Sequence, residues 1–507
     1  MYELLAAGVV DILQIKYLVP LCLGTLAGVV GGALPGVTIT MTIIVVLPFT
    51  FGLDPLQGLA AMTGVYVGGS AGGLVTAILL GLPGTPSSIA TTFDGHAMAR
   101  RGEPGRALWL GVWSSFFGGL LGGLFLIGAT GPLASFALQF GPWEFFSLFL
   151  LALSMVAGLV EASLLKGLIS GALGLIVTVL GVDPVMGQER LRLGIPFLSG
   201  GIDFLPVLIG VFAFAQIMGE IEKRGMPSVL PAVDRTMSLA VSQARVIWEV
   251  LSRPLQLLWC SFIGVVIGVL PAIGGSAASM MAYDQAKKFS RRPQDFGSGA
   301  PEGIIASESS NNANVGGSLV TIMAFGIPGD AVTAVMLGAL TIHGIQSGPL
   351  FISQNAQLAY GIFAAYLLAH PIMVLILALG ARWMLRVVTV PKAALFPIVL
   401  VLCVVGAYAL NNTMGNVYVL LSFGVLGYLM VKFGFPLAPF ILGVILGDQI
   451  EINLIRSIMT DPDPWLFVTR PISGVLLGAA LLSIVAALWQ HRRMQRRAAV
   501  SQTDPDY

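Results

Sequence analysis

The chain of 507 residues has little charge. It holds 26 Lys and Arg against 25 Asp and Glu, so 10% of it is charged, where an average soluble chain carries about 25%. With 56% hydrophobic residues and a mean hydropathy of +0.89, this shortage excludes a water-soluble globular protein and a disordered one. A net charge of +1 offers no basic surface to nucleic acid or another polyanion. Cysteine is scarcer still. Cys22, Cys260 and Cys403 stand far apart in apolar stretches, with neither metal-ligand spacing nor a disulfide framework, and read as small buried hydrophobes. The start, Met1 to Lys16, has no basic opening, and Glu3 and Asp11 interrupt its apolar residues, so it is not read as a secretory signal.

Glycine (63) and proline (29) are abundant instead. Both break helices, and inside a bilayer every freed backbone group needs a partner within the protein. Such a composition points to a membrane protein built around interrupted helices. Apolar runs of spanning length alternate with short polar connectors from Leu18 onward. The expected fold is all-α and polytopic, with roughly 10–12 transmembrane segments. Clear runs are Ala107–Ala129, Phe145–Val160, Leu164–Leu180, Phe204–Met218, Leu255–Leu270, Leu358–Leu379, Ala394–Leu410, Val417–Val431 and Ile472–Leu488.

Two regions, 58–98 and 300–343, resist this parsing because Gly, Pro, Ser, Thr and Asn are scattered through them. They are copies of one element. Gly28-Val29-Val30, Gly32 and Leu34-Pro35-Gly36 align with Gly264-Val265-Val266, Gly268 and Leu270-Pro271-Ala272. Gly72-Gly73-Leu74-Val75-Thr76 and Gly81-Leu82-Pro83-Gly84 align with Gly317-Ser318-Leu319-Val320-Thr321 and Gly326-Ile327-Pro328-Gly329. Matched Gly/Pro interruptions in two halves point to a transporter binding site near the bilayer midplane. The expected division is a first repeat over 1–221, a polar cytoplasmic connector over 222–253, a second repeat over 254–490 and a basic cytoplasmic tail over 491–507.

Charge suggests that the repeats are inverted. Positive residues mark cytoplasmic loops. After the first motif, repeat one has the uncharged-to-acidic loop Phe51–Gln57, and repeat two has Lys287, Lys288, Arg291 and Arg292. After the second motif the pattern swaps, with Arg100, Arg101 and Arg106 in repeat one and the uncharged Ile345–Gln357 in repeat two. Lys223, Arg224, Arg382, Arg386, Lys392 and the tail His491–Arg497 also read as cytoplasmic. Arg190 and Arg192 fall in an expected outside loop and run against the rule.

The chemistry should sit at the interruptions. In Gly81–Ser88, two prolines and two glycines stop a helix, and hydroxyls follow where a new helix could start. Free N–H groups at a helix N-terminus favour a carboxylate or phosphate without a buried Lys or Arg. An ordinary loop is the plain alternative, and the matching segment 326–330 tips the balance toward function. The polar run Ser307-Glu308-Ser309-Ser310-Asn311-Asn312-Ala313-Asn314 supplies donors for substrate oxygens and oxygens for a hard cation; interhelical hydrogen bonding would explain it too. Of the threonines after Gly36, only Thr38 is retained as a candidate. Asp94, Glu308 and Asp330 flank the interruptions and are functional suspects, although Asp330 reads equally well as a helix cap.

A Gly68–Gly72 match to the serine-hydrolase elbow pattern lacks a strand–turn–helix setting. No zinc-protease or P-loop motif is present, so the chain is not read as an enzyme.

Together, Leu34-Pro35-Gly36, Gly81–Pro86, Glu308-Ser309 with Asn311-Asn312-Ala313, and Gly326–Gly329 resemble the large membrane subunit of tripartite tricarboxylate transporters, the TctA family. The resemblance runs from about Val10 to Leu488; Ala272 departs from it where Gly36 would repeat. It implies a bacterial inner-membrane permease with its C-terminus in the cytoplasm. Its partners would be a small transmembrane subunit and a periplasmic solute-binding protein, with room for a homodimer. Its substrates would be citrate-like di- and tricarboxylates, taken up on an ion gradient, often Na⁺, without a cofactor. A stand-alone organic-anion transporter is the alternative. The expected substrate contacts are Pro35, Gly36, Thr38, Gly84, Thr85, Pro86, Ser87, Ser88, Ser309, Asn311, Asn312 and Gly329. Na⁺ is expected near Asn311, Asn312, Gly326 and Asp330.

Overall fold

The fold is taken from a computed structural model, which describes residues 2–158, 164–191, 194–222, 238–387, 390 and 392–503. The chain opens with α1 (Tyr2–Ile12), α2 (Ile15–Ala33), α3 (Ile39–Val46), α4 (Pro55–Leu80), α5 (Ile89–Arg100) and α6 (Pro104–Ala137). Then come α7 (Pro142–Gly158), α8 (Leu164–Thr178), a two-residue antiparallel pairing of Gly181–Val182 with Glu189–Arg190, α9 (Phe204–Leu208) and α10 (Ala215–Glu222). The sequence continues through α11 (Gln243–Leu251), α12 (Pro254–Val269), α13 (Gly274–Phe289), α14 (Pro301–Phe325) and α15 (Ala331–Ile342). After these lie α16 (Phe351–Gln354), α17 (Ala356–Val387), α18 (Lys392–Asn411), α19 (Met414–Lys432), α20 (Leu437–Thr460), α21 (Leu466–Thr469) and α22 (Pro471–Thr503).

The protein is an all-α polytopic membrane protein. Among the described residues, nine helices are long and apolar enough to cross a bilayer, and α11 with α12, bent by 75°, would make a tenth. Besides Pro55–Leu80, which falls largely in the region 58–98, two spans, Ile15–Ala33 and Leu437–Thr460, are not among the clear apolar runs. The second carries Asp448, Glu451 and Arg456, which interrupt its hydropathy. α7 and α8 are apolar but shorter than a full span, and residues 159–163 between them lie outside the described ones.

The two regions that resisted parsing share one plan. α4 starts on a capping box: Asp54 accepts from the Gln57 N–H at 3.0 Å, and Gln57 Oε1 accepts from the Asp54 N–H at 3.1 Å. It runs 26 residues, about 39 Å, and stops at Gly81, whose φ of +68° favours glycine. α14 runs 25 residues and stops at Gly326, with φ +72°. Each long helix is followed by a break and a 12-residue helix, α5 or α15, about 18 Å long and so half a bilayer.

Contacts fall into two compact units, each drawn from both halves of the sequence: 1–135 with 216–412, and 136–215 with 413–507. In the first, glycines let α2 lie directly on α4. A Cβ on Gly28 would strike the Val65 carbonyl, and one on Gly72 the Val29 carbonyl. α12 on α14 repeats this: Gly264 meets the Ser310 carbonyl and Gly317 the Val265 carbonyl. This small-residue packing is common between membrane helices. The turn after α2 has Gly36 at φ +89°; the turn after α12 has Ala272 at φ +54°.

In the second unit, Glu144 pairs with Arg470 at 2.5 Å, and Ser147 and Ser473 share a hydroxyl contact of 2.8 Å. Arg190 is gripped by Glu451 and Asp183. Its charge is therefore neutralised locally. Arg192, Lys223 and Arg224 lie outside the described residues. The polar connector ends in the amphipathic α11, which buries Val246 and Val250. Cys22, Cys260 and Cys403 are free thiols, the last two buried.

Candidate functional site

The two breaks seat their glycines at matched places. A Cβ on Gly84 would strike the Gly32 carbonyl, and one on Gly329 would lie 2.6 Å from the Gly268 carbonyl. The first break is thus pinned to α2 and the second to α12. Thr85, Ser87 and Ser88 largely satisfy one another: the Thr85 and Ser87 hydroxyls are 3.1 Å apart, and Ser88 Oγ donates to the Thr85 carbonyl at 2.8 Å. Pro86 is exposed.

The halves are cross-linked by polar contacts. Asn311 Nδ2 donates to the Ser70 carbonyl at 2.9 Å. The Tyr66 hydroxyl donates to Asp330 Oδ2, while Asp330 Oδ1 accepts from the Thr333 N–H at 2.9 Å. Asp330 is therefore the cap of α15. Asp94, fully buried, accepts at Oδ1 from the N–H groups of Gly297, Gly299 and Ala300 at 2.7–2.8 Å, and at Oδ2 from the Tyr283 hydroxyl at 2.9 Å. A carboxylate of α5 thus occupies the entry to α14, a favourable place for an anion. Glu308 accepts from Thr91 Oγ1 at 2.5 Å and from Ser115 Oγ at 2.7 Å.

The convergence point lies at the first turn of α13. A methyl on Gly275 would sit 2.6 Å from Asn311 Oδ1, 3.4 Å from Ser87 Cβ and 3.5 Å from Asn314 Oδ1. Asp330 Cβ would be 3.5 Å from one on Gly274. No side chain caps α13, and Ser87, Asn311 and Asn314 gather beside its first turn at Gly275. No Lys or Arg is buried among the described residues. Anion recognition here would rest on N–H groups, amides and hydroxyls.

The expected site residues divide accordingly. Ser87 and Asn311 meet at α13. Gly84 and Gly329 shape the breaks. Gly36 and Thr38 form a separate turn held by Gln216, whose Nε2 donates to the Gly36 carbonyl at 2.7 Å and whose Oε1 accepts from Thr38 at 3.2 Å; Pro35 is half-buried in that turn. Ser309, on α14, packs against α6, its main chain against Gly118. The main-chain carbonyl of Asn312 accepts from the Tyr366 hydroxyl at 3.1 Å, while its side-chain Nδ2 donates to the Glu308 carbonyl at 3.3 Å and its buried Oδ1 has no hydrogen-bond partner among the described residues. Gly326 abuts Ser347 and Gly348. A cavity of about 890 Å³ beside Trp259, Phe289 and Arg291 touches none of these residues. Gly275 and Gln216 were not anticipated, and Asn314 was named in the polar run but not among the expected contacts. Asn314 could have been found from its helical spacing, three residues after Asn311.

A family model described as the tripartite tricarboxylate transporter TctA family matches residues 18–442. The chain belongs to the TctA family. This TctA-family chain is a membrane subunit of a transporter, one component of a tripartite system. An Agrobacterium vitis protein described as an uncharacterized 52.8 kDa protein in the TAR-I ttuC' 3' region is 37% identical over 475 residues, 93% of each chain. A second A. vitis protein, described as uncharacterized and in the TAR-II ttuC' 3' region, is 36% identical over 235 residues, 46% of this chain and 97% of its own length. No solved structure matches.

Proposed function

We propose that this subunit is the permease of a secondary transporter that takes up citrate-like di- and tricarboxylates across the bacterial inner membrane. It works with a small transmembrane subunit and a periplasmic solute-binding protein, and an ion gradient, with Na⁺ as a coupling ion, drives uptake. Substrate binds where Ser87, Asn311 and Asn314 meet the first turn of α13. The observation that carries this reading is the approach of both asparagine oxygens and Ser87 to Gly275, at an uncapped helix start with no buried cation nearby. A co-bound Na⁺ would offset the cost of desolvating the carboxylates.

The reading of opposed halves is supported by the contacts of the long helices. The end of α4 adjoins α5, where His96 Nδ1 lies 3.1 Å from the Ile78 carbonyl; α5 in turn holds the start of α14 through Asp94. Conversely, His343, after α15, lies beside Gly58 at the start of α4. The start of one long helix thus neighbours the end of the other.

The test is uptake of labelled citrate, tartrate and succinate by cells expressing all three components, with and without Na⁺ and the binding protein. Saturable uptake that needs the binding protein supports the assignment; its absence for every acid defeats it.

A further inference from the structure

Glu308 has no role in the arrangement described so far. It is fully buried on α14, between α5 and α6, and no ion pair reaches it among the described residues. Thr91 Oγ1 touches Oε1 at 2.5 Å and Ser115 Oγ touches Oε2 at 2.7 Å, while the Thr91 and Ser307 hydroxyls lie 3.0 Å apart. A buried carboxylate without a counter-charge is costly unless it is neutralised. A metal ion would spread its oxygens around itself at about 2.3–2.6 Å each, whereas these hydroxyls close directly onto the carboxylate. The cluster is sized for a proton. Hydroxyls donate or accept as needed, so Thr91 and Ser115 can serve both the ionised and the protonated acid.

Position links this acid to the substrate site. Asn311 follows Glu308 by three residues, and Thr91 follows Ser87 by four, each about one helical turn. The other titratable groups on packed elements are engaged elsewhere or distant in role. Asp94 and Tyr283 bind each other toward the start of α14, and Tyr66 is bound to Asp330 at α15. Tyr366 and His370 belong to the α17 side, with His370 Nδ1 2.8 Å from the Tyr366 carbonyl. Cys260, on α12, lies toward the Ala282 carbonyl.

We infer that Glu308 binds and releases a proton that is co-transported with the carboxylate, in addition to any Na⁺. This rests on the transport reading above. In each cycle the carboxylate takes one proton from the outer side, and the acid gives it up to the cytoplasm.

Two measurements on the complete membrane complex test this. Infrared difference spectra of the purified complex between acid and alkaline pH should show the carbonyl stretch of a protonated carboxylic acid. The band should be lost in Glu308→Gln and kept in Glu302→Gln; a band unchanged in Glu308→Gln overturns the inference. In proteoliposomes with binding protein and equal Na⁺ on both sides, an inward proton gradient should drive wild type to accumulate labelled citrate above the outside concentration. Glu308→Gln should keep citrate exchange at equal concentrations and lose accumulation. Accumulation equal to wild type overturns the inference. Wild-type vesicles that move no carboxylate would defeat the transport reading instead, and the infrared band would still decide the proton site.

Discussion

The side-chain amide of Asn311 donates to the main-chain carbonyl of Ser70 at 2.9 Å, tying the middle of one long helix to the middle of the other. Ser70 Oγ meanwhile donates back to the Tyr66 carbonyl at 2.9 Å. The same asparagine turns its oxygen toward the first turn of α13. One residue therefore serves both the joint between the halves and the candidate site.

Asn311→Ala is expected to abolish uptake while the protein still inserts and folds, at a stability cost of about 1 kcal/mol. Asn312→Ala, which removes a side chain that donates to the Glu308 carbonyl and is not among the groups nearest Gly275, should keep more than half of wild-type uptake at saturating substrate. Transport assays on both variants, with melting curves in detergent, check the pair. Equal loss in the two would remove Asn311 from its special position.

Asp94 is a lock between α5 and the entry to α14. Asp94→Ala strands three N–H groups and the Tyr283 hydroxyl, so stability should fall by about 3 kcal/mol. Asp94→Asn, which keeps an accepting oxygen, should lose less. Thermal unfolding followed by tryptophan fluorescence would rank the two variants.

Ala272 holds φ +54°, a conformation that costs a residue with a Cβ about 1–2 kcal/mol. The matching turn uses Gly36. Ala272→Gly should therefore raise the melting temperature, with a net gain of up to about 1 kcal/mol after the added freedom of glycine in the unfolded chain. A lowered melting temperature would show that the turn is not strained.

Much of this was legible in the sequence, and the reasons are local. The stops at Gly81 and Gly326 follow from glycine chemistry, and Asp330 followed by Thr333 reads as a cap. Facing directions were harder. Ser309, Asn311, Asn312 and Asn314 look alike in one dimension, yet each step along a helix turns the side chain by about 100°. Only the neighbours decide which of them meet Ser87. Gln216 was hidden differently: it is a lone polar residue in an apolar run, and its partners, Gly36 and Thr38, lie about 180 positions away.

Membrane sidedness is open to direct labelling. Cysteines placed at Gly52 and Gln354 should react with an impermeant maleimide from the periplasm, and ones at Gly102 and Gln294 only from the cytoplasm. Gly52 and Gly102 have open space around them, so the probes meet no neighbour, although a cysteine at Gly102 carries backbone strain at φ +92°. Same-side labelling of Gly52 and Gly102 would contradict opposed halves.

The short hairpin at 181–190 should respond to pH. Asp183 lies below the usual carboxylate range because the N–H groups of Met186 and Val185 donate to it, each at 2.8 Å. A depressed carboxylate contributes stability above its ordinary value, near 4. That contribution is lost as pH falls through the lower, folded value. Amide exchange at Val185 and Met186 should accelerate in that acid window and in Asp183→Ala at neutral pH.

Each compact unit needs chain from both halves, 1–135 with 216–412 and 136–215 with 413–507. During synthesis the first unit is left incomplete while the ribosome adds the start of the second, and the second waits until α19 and later helices emerge. Neither body can finish folding as a self-contained early product. A stalled or truncated chain ending in the connector would leave the Ser70 carbonyl of α4 and Thr91 and Asp94 of α5 without their partners on and before α14. Quality-control proteases should therefore clear such fragments, and co-expressed halves should rescue each other only when made together.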